Sequence, residues 1–354
     1  MATIDQLKWA SLTRAVNEIK SPNQFLKRLL YGAEDPQHTE DIEISVLSRG
    51  REIAPFVRKN GEALMVGGHS ETFQTVSPTN IRIKKPFQAS DLLYGRRPGS
   101  VIFPSEDEQL SAIEAHIARD LQGMADMVTN AEEWLVAMAI QGTITYSVAD
   151  EEVYQITYPR SSSHNISLDT FWDDADPTLP RPLADIHSVK RLLADSVGLT
   201  PTDCILGTEA ADTLLELVES GNVKMLGLDG TNVRAGDITF ISQFSDDGAI
   251  FIGTLGGVRF WEYGRTATLN GVAQNMIRPK YGEFFAITPA AERVMYYGAI
   301  PDMKALQGRN FVGRRFSKSW EEDDPSAVMS LIHSRPLPVP RRPDASVSMK
   351  IVSG

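Results

Sequence analysis

Nine apolar residues, Leu110, Ile113, Ile117, Leu121, Met124, Val128, Ala131, Leu135 and Met138, follow one another at steps of three and four. That spacing lays one apolar stripe along a single helix and predicts an uninterrupted helix over Glu106–Ile140, about 52 Å long at 1.5 Å per residue. Ser105 and Glu108 stand at capping-box spacing, and Glu106, Asp107 and Glu108 sit where the helix dipole favours negative charge. Gly142 supplies the stop. The opposite face is expected to carry Glu114, Asp120, Asp126, Glu132 and Glu133. A coiled coil is the alternative use of such a stripe, but no other segment offers a matching helix. A long spine packed on a sheet fits the rest of the chain better.

Charge is sorted around this helix. Counting Asp, Glu, Lys and Arg, residues 49–97 hold nine positive and four negative charges, a net of +5. Residues 105–176 hold two positive and fifteen negative, a net of −13. The basic stretch carries strand signals from Glu43 to about Phe87. Asn60-Gly61 and Gly67-Gly68 are its turns, and Ile81-Arg82-Ile83-Lys84 alternates apolar with basic. Its apolar residues are too few to bury both faces, and a lone two-stranded hairpin is marginal in water. An edge hairpin of an ordinary sheet is the plain reading. The charge sorting favours a limb that crosses to the acidic face of a neighbouring copy. On that reading Arg58, Lys59, Arg82, Lys84 and Lys85 meet Glu114, Asp120, Asp126, Glu132 and Glu133 of the next subunit. The contact is head to tail and closes rings.

Ahead of the hairpin, Leu7, Leu12, Val16 and Ile19 fall at helical spacing, and Phe25–Leu30 forms a second short piece. Little joins them to a core of their own, so residues 1–44 read as an arm. After the spine, Thr143–Tyr146 and Val153–Tyr158 read as strands around the turn Ala149–Glu152, and Ser161–Pro182 as a connection. Past Pro182 the character changes. Helices Leu183–Val197, closed by Gly198, and Thr208–Glu219, capped by Thr208, alternate with strands Asp203–Leu206, Asp237–Phe244, Ala249–Leu255, Val258–Tyr263, Glu283–Thr288 and Val294–Ile300. Ala327–Ile332 and Ser346–Val352 are further strands, and the Pro-rich Arg335–Pro343 between them is an extended connector. The fold class is α+β.

Chemistry-bearing motifs are missing from the sequence: no Walker loop, His-Glu-x-x-His, Gly-x-Ser-x-Gly or dinucleotide fingerprint occurs. His69-Ser70-Glu71 are strand neighbours and point to opposite faces, a poor nucleophile site. Asp169, Asp173, Asp174 and Asp176 lack the Gly and terminal Glu of a calcium loop. The single Cys204 excludes an internal disulfide framework and reads as a small core residue. The expectation is therefore no enzyme, no metal and no cofactor. A net charge of −11 argues against a dedicated nucleic-acid binder, though not against a protein that tolerates DNA nearby. No run approaches the roughly 20 apolar residues of a membrane span, and Met1–Ala10 lacks the apolar core of a signal peptide. A reducing cytosol is expected as the place of synthesis.

The order of pieces, together with Tyr297-Gly298-Ala299-Ile300-Pro301-Asp302, Arg314-Arg315-Phe316-Ser317-Lys318-Ser319-Trp320, Asp324-Pro325 and Ala327–His333 before Pro336, resembles lambda-type major head proteins, the capsid protein E family. Gly61-Glu62, Gly67-Gly68, Lys84-Lys85-Pro86, and Phe25-Leu26 before Thr39-Glu40 add to it. The resemblance implies the Hong Kong 97 fold of tailed-phage capsids. Residues 1–44 would be the N-terminal arm and 45–100 the E-loop. Residues 101–176 would form the peripheral domain with its spine, 177–300 the axial domain, and 301–354 strands returning to both. It further implies hexamers and pentamers of the chain forming an icosahedral shell around double-stranded DNA, without sequence-specific contacts. A portal protein would be a partner and a decoration protein a possible clamp. With about 45 residues ahead of the hairpin, scaffolding is expected from a separate protein. Assembly would take place in the bacterial host cytoplasm and the product would be the virion capsid. No crosslink is expected, since no Asn and activating acid match Lys59 or Lys84. The rival readings are an encapsulin-like nanocompartment shell, which shares the fold, and a hydrolase with an unrecognised site.

Overall fold

The structure is a computed structural model that describes residues 9–18, 24–48, 70–88, 106–147, 153–176, 180–220, 248–269, 271–287, 292–303, 313–322 and 327–354. The spine helix runs from Glu106 to Ile140, the bounds set by its apolar stripe. Gly142 leaves it with φ +93, a conformation that costs glycine little, and Arg160 closes its end, donating Nη1 to Ile140 O at 3.0 Å and Nη2 to Gln141 O at 2.9 Å. Leu121, Met124, Val128 and Leu135 are buried as the stripe requires. The polar face does not persist. From Glu132 to Ala137 every residue is buried, so the last turns pass through the core rather than over it.

The basic strand is held by its own chain. β1 (Ala33–Pro36) is followed by β2 (Ile42–Ser48) and β3 (Ser70–Val76), which pair antiparallel as a two-stranded sheet. β4 (Ile81–Gln88) instead pairs antiparallel with a strand from the far end of the sequence, β16 (Ala327–Ser334). β16 pairs in turn with β15 (Phe316–Glu322), giving the order β15-β16-β4. The alternation in Ile81-Arg82-Ile83-Lys84 is used as expected. Ile81 and Ile83 pack with Val16, Leu121, Met124, Val128 and Ile332 against the spine, leaving Arg82 and Lys84 exposed. The expected free hairpin is thus corrected at β4. The turns at Asn60-Gly61 and Gly67-Gly68 lie outside the described residues.

β5 (Thr143–Ser147) and β6 (Val153–Thr157) pair antiparallel after the spine as expected, while the expected turn Ala149–Glu152 lies outside the described residues. A six-stranded sheet follows in the order β7-β18-β13-β8-β10-β9. Its members are β7 (Asn165–Ser167), β8 (Asp203–Leu206), β9 (Ile250–Leu255), β10 (Val258–Glu262), β13 (Tyr281–Phe285) and β18 (Ser346–Lys350). One face packs on helices Pro182–Ser196 and Thr208–Glu219 through Ile186, Val189, Leu193, Leu214, Phe260 and Phe284. Gly198, at φ +76, ends the first helix as expected. Thr208 is the first helical residue and its side chain makes no cap bond; the cap position belongs to Gly207. A Cβ there would lie 2.2 Å from Arg278 O, so glycine is dictated by the close approach of two backbones. The expected strand Asp237–Phe244 lies outside the described residues.

The Pro-rich stretch is a strand, β17 (Pro336–Pro340), at the edge of the sheet β1-β14-β17, where β14 is Arg293–Tyr297. Pro336, Pro338 and Pro340 recur at every second position, opposite Tyr297, Met295 and Arg293. Alternation puts the three missing N–H groups on one side of the strand, where an edge tolerates them. The outward carbonyl of Pro338 is taken up by the Tyr158 hydroxyl. Finally β11 (Thr266–Leu269) and β12 (Val272–Asn275) form a separate two-stranded ribbon.

The arm is less detached than its sequence suggests. Its first helix, Trp9–Glu18, lies along β15, and Thr13 Oγ1 both donates to Ser317 O and accepts from Ser317 N, each at 3.0 Å. Its second helix, Phe25–Leu30, carries Phe25, Leu26 and Leu30 into the main core beside Leu135, Ile205, Tyr263 and Phe285.

Candidate functional site

Glu132 and Glu133 were expected on the outer face of the spine; both are wholly buried. Glu132 sits among cations of its own chain. Lys27 Nζ reaches its Oε2 at 2.8 Å, Arg315 Nη2 its Oε1 at 3.4 Å, and Gln24 Nε2 donates to Oε2 at 3.2 Å. Lys27 Nζ also donates to the Tyr297 hydroxyl at 2.8 Å and pairs with Glu34 at 3.0 Å. Arg314 meets the other oxygen of Glu34 at 3.1 Å. Burial alone would raise the Glu132 pKa, but Lys27 and Arg315 outweigh it and hold the carboxyl below its ordinary value. Burial and the Glu132 charge push the Tyr297 phenol up to about 12.

Glu133 plays a different part. Its Oε1 accepts from Leu26 N at 2.6 Å and from the Tyr263 hydroxyl at 3.1 Å, and Oε2 accepts from Lys27 N at 3.1 Å. Those two amides belong to the second and third residues of helix Phe25–Leu30, whose N-cap residue Gln24 supplies no side-chain cap bond. A carboxylate from the spine therefore caps the arm. Burial raises the Glu133 pKa, and the bonds from Leu26 and Lys27 oppose that rise. Adjacent residues on one helix thus clamp the arm twice, once by charge and once by capping. As partners for a neighbouring subunit, Glu132 and Glu133 are displaced by these internal ligands.

Of the remaining expected residues, Lys85 and Asp120 form an ion pair within the chain at 2.5 Å. Lys84 Nζ stands 5.3 Å from the Trp320 ring centroid and 3.9 Å from Glu322. Lys318 flanks the same ring at 5.6 Å. Arg82 is exposed and faces His333 across the strands. Burial, then the charges of Arg82 and Arg335, push the His333 imidazole down to about 4, so it is neutral, with Nε2 2.5 Å from Asn80 Oδ1. Asp126 is half-buried, with Oδ1 enclosed and without a hydrogen-bond partner among the described residues. The side chain of Glu114, and both Arg58 and Lys59, lie outside the described residues. Arg82 and Lys84 therefore point outward beside Trp320, with Lys84 near Glu322, while Lys318 is largely covered and ion-paired with Asp302.

No group of three or more His, Cys, Asp or Glu among the described residues is placed to hold a metal ion. Cys204 is fully buried, and burial raises its thiol well above the ordinary value, which suits a packing residue. No helix among the described residues is long and apolar enough to cross a membrane. An open cleft of about 450 Å³ lies between the spine end and the six-stranded sheet, lined by Gln141, Asn165, Arg278, Tyr281, Ser348 and Lys350 among others. Lys27 and Arg315 were missed by sequence reasoning. The one available signal was the Glu132-Glu133 pair abutting the apolar run Trp134–Ile140, since acids next to such a run are either exposed or compensated.

The sequence profile of the family described as phage major capsid protein E matches residues 8–351. A search of curated protein sequences finds no match. Among solved structures, the fold is similar to a protein described as a prophage capsid protein of Escherichia coli CFT073, with TM-score 0.71, 18% identity, and coverage of 98% of this chain and 99% of that one. A phage-related protein of Bordetella bronchiseptica RB50 matches with TM-score 0.53 and 12% identity over 96% of each chain. A capsid protein of cyanophage P-SCSP1u matches with TM-score 0.50 and 8% identity, covering 95% of this chain and 90% of that one.

Proposed function

The chain belongs to the phage major capsid protein E family, with the Hong Kong 97 fold, and from this premise as a capsid shell protein we propose how it builds its shell. Subunits associate head to tail into hexamers and pentamers, and these close an icosahedral head around double-stranded DNA. The outward cationic face made by Arg82 and Lys84, extended by Arg58 and Lys59 of the limb, docks on the acidic stretch of the neighbouring spine at Glu114 and Asp126. Lys85 and Asp120 contribute to holding the limb's base on its own spine, and set the direction in which it leaves.

The observation that carries this reading is the exposure of Arg82 and Lys84 on a strand whose apolar side chains face the spine. Their charge is kept out of the interior: Arg82 faces solvent, and Lys84 has only the partly exposed Glu322 at 3.9 Å, a contact weak enough to exchange for a partner's acid. Single exposed ion pairs contribute only about 0–1 kcal/mol each, so the summed field guides docking while apolar burial supplies the affinity. Weak separate contacts let a growing shell correct errors. The −11 net charge keeps packaged DNA from adhering to the wall. A separate scaffolding protein, a portal protein and a decoration protein are the expected partners, with assembly in the bacterial host cytoplasm. The reading is tested by Arg82→Glu with Lys84→Glu. Folded subunits that no longer form particles in electron micrographs support it, and a normal particle yield overturns the docking.

A further inference from the structure

Twelve successive residues, Thr266 to Ile277, carry no charge, in a chain where 23% of residues are charged and the net is −11. Uncharged runs ordinarily belong in a core, but here most of the run is on the surface. Thr266, Thr268 and Gly271 to Asn275 are exposed, and Val272 stands 61% exposed. Only Ala267, Leu269, Met276 and Ile277 pack on the main core. The base of the ribbon is fixed. Met276 N donates to Arg265 O at 3.0 Å, Arg265 Nη2 to Asn130 Oδ1 at 2.7 Å, and Gln141 Nε2 to Met276 O at 3.0 Å. Those contacts anchor it to Asn130 on the spine helix and to Gln141 just past its end. Beyond them, β11 and β12 pair only with each other, so neither outer edge is paired by another strand among the described residues. A two-stranded ribbon is marginal in water, and open edges of neutral residues invite pairing.

We propose that the β11–β12 ribbon is a contact between copies of this chain, seated against a neighbouring subunit in the shell. The inference rests on the chain forming a shell, and it names a surface distinct from the charged limb. Charge selects the occupant. Copies that each carry −11 repel, and the surface where they approach at least cost is one without charge, with an exposed apolar residue to bury. A nucleic acid or a basic partner would gain nothing from a neutral ribbon. Interface cores are depleted in charge in the same way.

Hydrogen exchange of the wild-type chain, assembled and dissociated, tests this directly. Amides of Thr266 to Asn275 should slow by about tenfold or more on assembly, as open edges become paired or covered. Val272→Glu should leave the dissociated subunit's melting unchanged and reduce particle yield about tenfold, while the neutral Val272→Thr assembles normally. Wild-type particles in the same preparation establish the shell independently. Unchanged exchange in those particles, or a full yield from Val272→Glu, overturns the ribbon contact alone. Protection that disappears when a second, co-purifying protein is stripped from intact particles assigns the ribbon to that protein and also overturns it.

Discussion

Lys27 and Glu132 meet at 2.8 Å with 4% and 0% of their side chains exposed, joining an arm helix to the spine across 105 residues of sequence. Two charges taken out of water are tolerable only while each keeps the other, and Arg315, Tyr297 and Glu34 complete the shell around them.

Removing one partner should cost far more than removing both. Lys27→Met leaves Glu132 with the Arg315 guanidinium at 3.4 Å and the neutral Gln24 amide, and it should destabilise the dissociated subunit by about 3–5 kcal/mol in urea unfolding. The double variant Lys27→Met with Glu132→Leu should recover much of that loss. Additive losses in the double variant would show that packing, not charge compensation, sets the cost.

Acid should weaken the same clamp. Because its folded pKa is held below the ordinary value, ionised Glu132 contributes stability that is complete above the unfolded carboxylate pKa of about 4.3 and lost as pH falls through the folded value. Glu133, raised by burial, works in the opposite sense: its contribution is present below that pKa and lost as pH rises through the folded one. Glu132→Gln should therefore be clearly less stable than wild type at pH 7, with the gap narrowing on acidification below about pH 4. Urea midpoints at several pH values measure it, and a constant gap would contradict the assignment.

The spine was legible in sequence because nine apolar residues repeat on one face over its length, and Gly142 marks its end. What hid Glu132 and Glu133 is that burial of an acid depends on a partner, and theirs lie 105 to 183 residues away. The same limit explains the limb. Alternation in Ile81-Arg82-Ile83-Lys84 announces a strand with one apolar face, but nothing local says that β16 is its neighbour. Thr208 failed as a cap for a different reason, since the space around Gly207 is set by a second backbone at Arg278. The Pro-rich strand was readable as extended, while its place in the core came from pairing with β14.

Position decides what each limb lysine does. Lys85 pairs with Asp120 inside the subunit, half exposed, so Lys85→Glu should change subunit stability by about 1 kcal/mol or less. Adding Asp120→Lys should restore whatever is lost, because the reversed pair regains its attraction. Rescue by Asp120→Lys in trans, from a second co-expressed subunit, would instead place the pair between copies.

Thr13 holds a strand edge that would otherwise be open. Its hydroxyl satisfies both the N–H and the C=O of Ser317 on β15, and Asn17 Nδ2 donates to Arg315 O at 3.0 Å one step along the same edge. The ten-residue helix Trp9–Glu18 is too short to persist alone, so its place depends on these bonds and on buried Val16. Thr13→Val keeps the shape, removes both bonds and leaves two buried backbone groups without a partner. The cost should be about 2–3 kcal/mol, expressed as local release of the arm rather than global unfolding. Limited proteolysis should then cut near the arm several-fold faster while the urea midpoint of the remaining fold stays close to that of wild type. Cleavage at the wild-type rate would mean that Val16 packing, not the Thr13 bridge, secures the helix.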